Sequence, residues 1–247
     1  PFTAPHANNE AGKAGMEVPD YGPYAITDWP EPQKGHAAMI TRMDADIGRL
    51  LARLKEQGED ENTLIFFTSD NGPHREGGND PDFNDSNGPL KGTKRDLTDG
   101  GIRVPFIARW PGKISAGSKS DFVGSFQDIM PTLAELTGST AEVPKDIDGI
   151  SILPTLESQP EKQKQHDYLY WAFYEGNRAG QAVRMGYYKA IEQPKGTPVR
   201  FYDLSRDIGE EKDLAAEMPD LVTKAKEAMA KANRPSEKWK FPASKAK

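Results

Sequence analysis

The 247-residue sequence predicts an α/β fold that passes into a small antiparallel sheet with a helix. Three observations carry this. An amphipathic stretch ending in Gly58 runs into a short apolar segment, Thr63 to Thr68 (TLIFFT), and helix, turn and buried strand make half of an α/β unit. A second apolar segment follows at 102–109 (IRVPFIAR). Beyond residue 167 the texture changes to short aromatic-rich runs separated by Gly- and Pro-containing turns, the pattern of antiparallel strands.

Each element has its own signal. Residues 7–35 are rich in Pro, Gly, Asn and Asp and read as a long surface loop. Met39, Met43, Ile47, Leu50, Leu51 and Leu54 recur at spacings of three and four and predict a helix, stopped at Gly58. Thr63–Thr68 reads as a buried strand and leads straight into Ser69-Asp70-Asn71-Gly72-Pro73-His74. Residues 75–90 are a loop by composition, and 102–109 a strand interrupted at Pro105. Asp128 to Leu136 predicts a helix with Pro131 in its first turn and Gly138 as its stop. Residues 155–167 are polar and read as a linker. Three strands are expected at 168–174, 182–191 and 199–204, a closing amphipathic helix at 219–232, and a poorly ordered tail at 233–247.

Composition narrows the function. A hydrophobic content of 36% supports a buried core, and a net charge of −6 argues against a nucleic-acid binder, which carries a basic patch. With no cysteine there is no disulfide framework and no thiolate metal site. No apolar run approaches the ~20 residues that span a bilayer. The chain opens at Pro1 without an initiator Met and without a signal peptide, in what reads as the end of a strand, so a truncated chain is expected.

Polar residues at the carboxyl end of a strand are well placed for chemistry in an α/β sheet. Asp70 and Asn71 are adjacent hard oxygen donors suited to Ca²⁺ or Mg²⁺. Asp-Asn-Gly is equally an ordinary turn signal. Lys94 can hold an oxyanion as a compact point charge, or belong with Lys91 and Arg95 to a solvated basic loop. His6, close to a strand end, can give a proton to a leaving group, or sit as a surface histidine. His74 lies three residues beyond Asn71, within reach of a ligand bound there. His36 and His166 have no constellation around them in the sequence.

In combination and order these stretches resemble the sulfatase family of the alkaline-phosphatase-like superfamily. Thr3-Ala4-Pro5-His6 resembles its strand-end histidine segment, and Ala38 through Leu51 its central helix. Phe67-Thr68-Ser69-Asp70-Asn71-Gly72 resembles its metal strand. Lys94 through Pro105, followed by Trp110-Pro111-Gly112, resembles its sulfate-lysine segment. Phe201-Tyr202-Asp203-Leu204 with Asp207 and Gly209-Glu210 resembles its C-terminal strand and turn. The likeness covers about residues 1–215.

The resemblance implies a sulfuric ester hydrolase with Asp70 and Asn71 as calcium ligands, magnesium being possible at the same donors. It implies catalytic roles for Lys94 and His6, both also binding the sulfate ester; His74, from its place three residues past Asn71, is expected to touch the substrate as well. It divides the chain into the C-terminal portion of an α/β catalytic domain at 1–154 and a small C-terminal α+β subdomain at 155–247. The nucleophile of the family is a formylglycine made from Cys or Ser in Cys/Ser-x-Pro-x-Arg. Neither that motif nor the early Asp-Asp metal pair occurs here. Both are expected in a missing N-terminal segment, so this chain alone is expected to be inactive and, with half a sheet exposed, poorly soluble. The family turn Glu-Gly-Gly is here Asp99-Gly100-Gly101, which keeps the carboxylate.

The resemblance further implies a sulfated small molecule or sulfated carbohydrate as partner and an exported location that is periplasmic, extracellular or lysosomal; the acidic charge balance and the lack of a long apolar run imply no nucleic acid and no membrane span. The loop from Arg75 to Pro89 is expected to help select the substrate. Two other readings compete. A phosphodiesterase or phosphonate hydrolase of the same superfamily shares the metal strand. A non-catalytic carbohydrate-binding relic would use Tyr168, Tyr170, Trp171, Phe173 and Tyr174 as stacking surfaces, although such residues more often pack a small sheet against a helix.

Overall fold

Helix α1, Glu31–Glu56, begins eight residues before the first residue of the apolar stripe, Met39. Pro32 in its first turn explains the early start, because a proline there loses no intrahelical hydrogen bond. In the computed structural model, which describes residues 2–175, 178–234 and 236–238, the expected 7–35 loop also contains 3-10 turns at Asn9–Ala14 and Gly22–Tyr24. The expected disordered tail lies mostly outside the described residues.

The chain divides into two compact units. The first holds the described residues up to Asn62 together with Thr68–Pro105. Its packing concentrates at the start of α1, where Gln33, Gly35, His36 and Ala38 are buried. The stripe that announces the helix is less covered: Met39, Met43, Ile47, Leu51 and Leu54 are half-buried and Leu50 is exposed.

The second unit holds Thr63–Phe67 and the described residues from Phe106 onward. Strands β1, Ile65–Thr68, and β2, Phe106–Arg109, form a two-stranded sheet, with the Phe66 and Phe106 rings 5.2 Å apart. β1 is half-buried rather than buried, and Phe106 and Ile107 are exposed. The expected 102–109 strand is shortened because Asp99–Ile102 forms a helical turn, α2, and Pro105 cannot donate to a ladder. Helix α3, Ile129–Leu136, follows its prediction.

The 155–167 stretch is more than a linker. It starts in the short helix α4, Leu153–Leu156, and its Gln163 and His166 are anchored. Gln163 accepts from the backbone and hydroxyl of Thr155 and donates to the Ser151 carbonyl. His166 Nε2 lies 3.0 Å from buried Asp128, whose carboxylate also accepts from the Ser125 and Ile150 amides.

A four-stranded antiparallel meander closes the unit: β3 Leu169–Phe173, β4 Gly180–Met185, β5 Tyr188–Glu192 and β6 Arg200–Asp203. The expected strand 182–191 is two, folded at Gly186-Tyr187, because Gly186 adopts φ +58 and Met185 pairs with Tyr188. Helix α5, Pro219–Ala232, lays Val222, Ala225 and Met229 on Val183, Ala190 and Phe201. Tyr168 and Tyr170 pack against this cluster, and the Tyr170 hydroxyl donates to Gln181. Burial and the neighbouring Glu192 push that phenol up to about 12. Lys189 and Glu210 form a fully buried pair at 2.9 Å.

Candidate active site

β1 ends at Thr68, and the next residues turn sharply. Ser69 Oγ donates to the Asn71 carbonyl at 3.2 Å, and the Asn71 amide Nδ2 donates to the Gly72 carbonyl at 2.8 Å. With one amide N–H engaged in this way, Asn71 keeps Oδ1 as an acceptor. Asp70 is exposed, and its carboxylate has no hydrogen-bond or ion-pair partner among the described residues.

Glycines bring the lysine segment against this turn. A Cβ on Gly72 would stand 1.8 Å from the Gly100 carbonyl oxygen, and the Gly72 amide donates to the Gly101 carbonyl at 3.0 Å. A Cβ on Gly100 would meet the Lys91 and Gly92 carbonyl oxygens at 2.4 Å, and one on Gly101 those of Asp96 and Thr93 at 2.1 and 2.5 Å. The Gly-Gly of the Asp99 turn is therefore a close-approach device, since any side chain there would collide with backbone. A further link runs from the Lys94 amide to the Pro73 carbonyl at 2.8 Å. Residues 70–74 and 91–101 are thus locked together through main chain.

The side chains then converge. Lys94 Nζ lies 3.3 Å from His6 Nε2. His6 Nδ1 faces the Ala7 carbonyl at 2.8 Å, and a carbonyl only accepts, so Nδ1 carries the proton and Nε2 accepts from the ammonium. The His6 ring stacks on His74 at 5.9 Å, and His74 meets His36 edge-on at 6.3 Å. Buried His74 donates from Nε2 to the Pro5 carbonyl at 3.0 Å. Burial, with the charge of His74 second, lowers the pKa of His36.

Of the sequence candidates, the structure brings His6, His74 and Lys94 together, and places Asp70 and Asn71 on the turn clamped to the lysine segment. His36, which looks isolated in the sequence, belongs to the histidine cluster. The sequence reading also missed Glu76 and Arg95. Glu76 Oε2 is 3.2 Å from His74 Nδ1, off hydrogen-bond angle and so an electrostatic contact, and 3.9 Å from Lys94 Nζ. Its other oxygen accepts from Arg95. Burial alone would raise the Glu76 pKa, but the Arg95 hydrogen bond and the charges of Lys94, Arg95 and His74 together hold it low. The glycines that follow Glu76 were the available signal, since they mark a tight turn just past His74.

Asp70 and Asn71 fit a hard cation by donor chemistry, as two ligands of a larger shell. Calcium takes about six to eight oxygens, and no group of three or more His, Asp or Glu placed for a metal occurs among the described residues. Fold and donors define a class: an α/β protein gathering oxygen donors, a lysine and histidines at the carboxyl end of a strand, suited to an anion held beside a cation.

Comparison with known proteins narrows the class. A family model described as Sulfatase matches residues 5–139, and one described as N-sulphoglucosamine sulphohydrolase, C-terminal, matches 93–234. Steryl-sulfatase of Mus musculus is 33% identical over 232 residues, covering 79% of this chain and 36% of that protein. The crystal structure of Ps i-CgsB in complex with k-i-k-neocarrahexaose superposes with a TM-score of 0.78 at 26% identity, covering 97% of this chain and 50% of that one. A structure solved in complex with its substrate, D-glucosamine-2-N,6-O-disulfate, gives a TM-score of 0.65 at 27% identity over 85% of this chain and 43% of that one. The chain belongs to the sulfatase family, and its fold is alkaline-phosphatase-like. It spans about a third of the length of the curated relative and about half of the solved structures. No helix among the described residues is long and apolar enough to cross a membrane.

Proposed function

We propose that the protein to which this chain belongs hydrolyses the sulfate ester of a sulfated carbohydrate or small molecule, in an exported location. The observation that carries the reading is Lys94 held 3.3 Å from His6 Nε2, with the Asp70-Asn71 turn clamped to the same segment through Gly72. Sugar substrates are supported by the similar structures solved with k-i-k-neocarrahexaose and with D-glucosamine-2-N,6-O-disulfate.

In this reading Asp70 and Asn71 Oδ1 would hold calcium, which when bound would supply Lewis-acid charge to the sulfate oxygens. Magnesium is the alternative at the same donors. The nucleophile, a formylglycine made from Cys or Ser, is assigned to sequence outside these residues, which contain no Cys/Ser-x-Pro-x-Arg. Lys94 supplies a preorganised positive charge to a sulfate oxygen, and His6, once protonated on Nε2 as well as Nδ1, gives the Nε2 proton to the departing alcohol oxygen. His74 fixes the stacking face of His6 and borders the substrate.

The test is the protein expressed from its complete gene, assayed on 4-nitrophenyl sulfate and on glucosamine 6-sulfate after chelation and after adding back calcium. Calcium-restored sulfate release supports the reading. Full turnover after chelation, or no sulfate release at all, contradicts it.

A further inference from the structure

Glu76 is placed where a negative charge is a disadvantage for a site that must bind an anion. Its carboxylate lies 3.9 Å from the Lys94 ammonium, side by side with the group proposed to hold the sulfate. On Coulomb's law alone such a carboxylate repels the substrate. Its surroundings show a compensating role. Oε1 accepts from Arg95, and Oε2 faces both Lys94 and His74 Nδ1. Three donor-bearing side chains from two segments therefore meet on one half-buried carboxylate.

The backbone is bent to permit this. Arg95 adopts φ +81, a left-handed conformation that is unfavourable for a non-glycine residue and persists only where the surroundings impose it. It sits immediately after Lys94, and turning Arg95 toward Glu76 leaves the Lys94 side chain directed to His6. The Glu76 segment is fixed from beneath, because the Asn79 side chain donates to the His74 carbonyl at 2.8 Å and the Gln33 side chain to the Gly78 carbonyl. His74, which stacks on His6, is bounded by the Pro5 carbonyl, His36, His6 and Glu76.

We infer that Glu76, held by Arg95, is the positioning residue of the anion site, fixing the Lys94 ammonium and the His74 ring so that Lys94 Nζ and His6 face the sulfate ester together. The inference rests on the sulfate reading of the site. Glu76 touches no reacting atom. It neutralises Arg95 and tethers Lys94, so that the ammonium is already ordered when the anion arrives and its rotamer entropy is not lost on binding.

Bare electrostatics and positioning predict opposite signs, which makes the test decisive. Inorganic sulfate binding is measured by calorimetry on the protein expressed from its complete gene, comparing wild type, Glu76→Gln, Glu76→Asp and Arg95→Ala, each with its melting temperature. Positioning predicts that Glu76→Gln weakens sulfate binding on the order of tenfold, with Arg95→Ala following it and Glu76→Asp recovering part of the loss. Tighter or unchanged binding in Glu76→Gln, with wild type binding normally, overturns the inference and leaves the sulfate reading intact. If Glu76→Gln fails to fold, Glu76→Asp and Arg95→Ala carry the same comparison. A wild type that binds no sulfate overturns the reading itself, and the inference with it.

Discussion

Replacing Gly72 by alanine tests the clamp on which the site geometry depends. The new Cβ would stand 1.8 Å from the Gly100 carbonyl oxygen and 3.1 Å from Gly101 Cα, where ordinary contact begins at 3.4 Å. Both neighbours are main chain, so relief requires segment 91–101 to move away by more than an ångström. That movement lengthens the 3.0 Å bond from the Gly72 amide to the Gly101 carbonyl. Overpacking costs about 1–3 kcal/mol, and the lost hydrogen bond about 1 kcal/mol more. A melting temperature lower by roughly 4–16 °C follows for a chain of this size. Function should suffer more than stability, because a shift of about 1 Å between the Asp70-Asn71 turn and Lys94 reduces catalysis by roughly 100-fold. Calorimetric melting with sulfate binding reads both effects. Gly48→Ala is the control: it sits inside α1 with open space around it and should stabilise by about 0.5–1 kcal/mol. A Gly72→Ala variant that melts and binds sulfate like wild type would refute the clamp.

Further outcomes follow from other residues. Lys189→Met leaves Glu210 buried without its cation and should destabilise by about 3–5 kcal/mol in denaturant titration; a Lys189→Met, Glu210→Leu double variant should recover most of that. Phe201→Ala should remove about 3–5 kcal/mol from the C-terminal sheet by the same measurement, since Phe201 is fully buried on β6 in the cluster it shares with α5. Glu76 and Glu192 have folded pKa values below their usual 4.5, so the stability they contribute is present above that value and lost as pH falls through the folded values. Melting between pH 6 and pH 3 should therefore show a decline that Glu76→Gln flattens. The lowered pKa of His36 acts in the same direction at higher pH, because the unfolded chain takes up its proton first below the usual 6.5, and His36→Leu should reduce the loss of stability just below that value.

Much of the architecture was legible in the sequence because periodicity and turn chemistry are local. Helix α5 and the end of α1 at Gly58 were read directly, and the meander was anticipated apart from one turn. Its missed turn, Gly186-Tyr187, lay inside a continuous run of strand formers, where a single glycine is a weak signal. The early start of α1 was hidden by Pro32 and Gly35, residues that punctuate loops yet fit a first turn or a close contact. At the site, the Asp70-Asn71 and Lys94 signals were visible as strand-end polarity and order along the chain. Glu76 and Arg95 were not, because a salt bridge between residues 19 apart has no sequence period. His36 and His166 looked solitary for the same reason, and only folding sets them beside His74 and Asp128.

The central claim is that Lys94, His6 and the Asp70-Asn71 turn together serve a sulfate ester. The most direct test compares kcat/KM for 4-nitrophenyl sulfate and for bis(4-nitrophenyl) phosphate, which share a leaving group, in the protein expressed from its complete gene and in its Lys94→Ala variant. The account predicts that the sulfate is the better substrate and that Lys94→Ala lowers its kcat/KM by about 100-fold or more, as losing one preorganised charge contact does. A preference for the phosphodiester, or a Lys94→Ala variant that hydrolyses the sulfate as well as wild type, would contradict it.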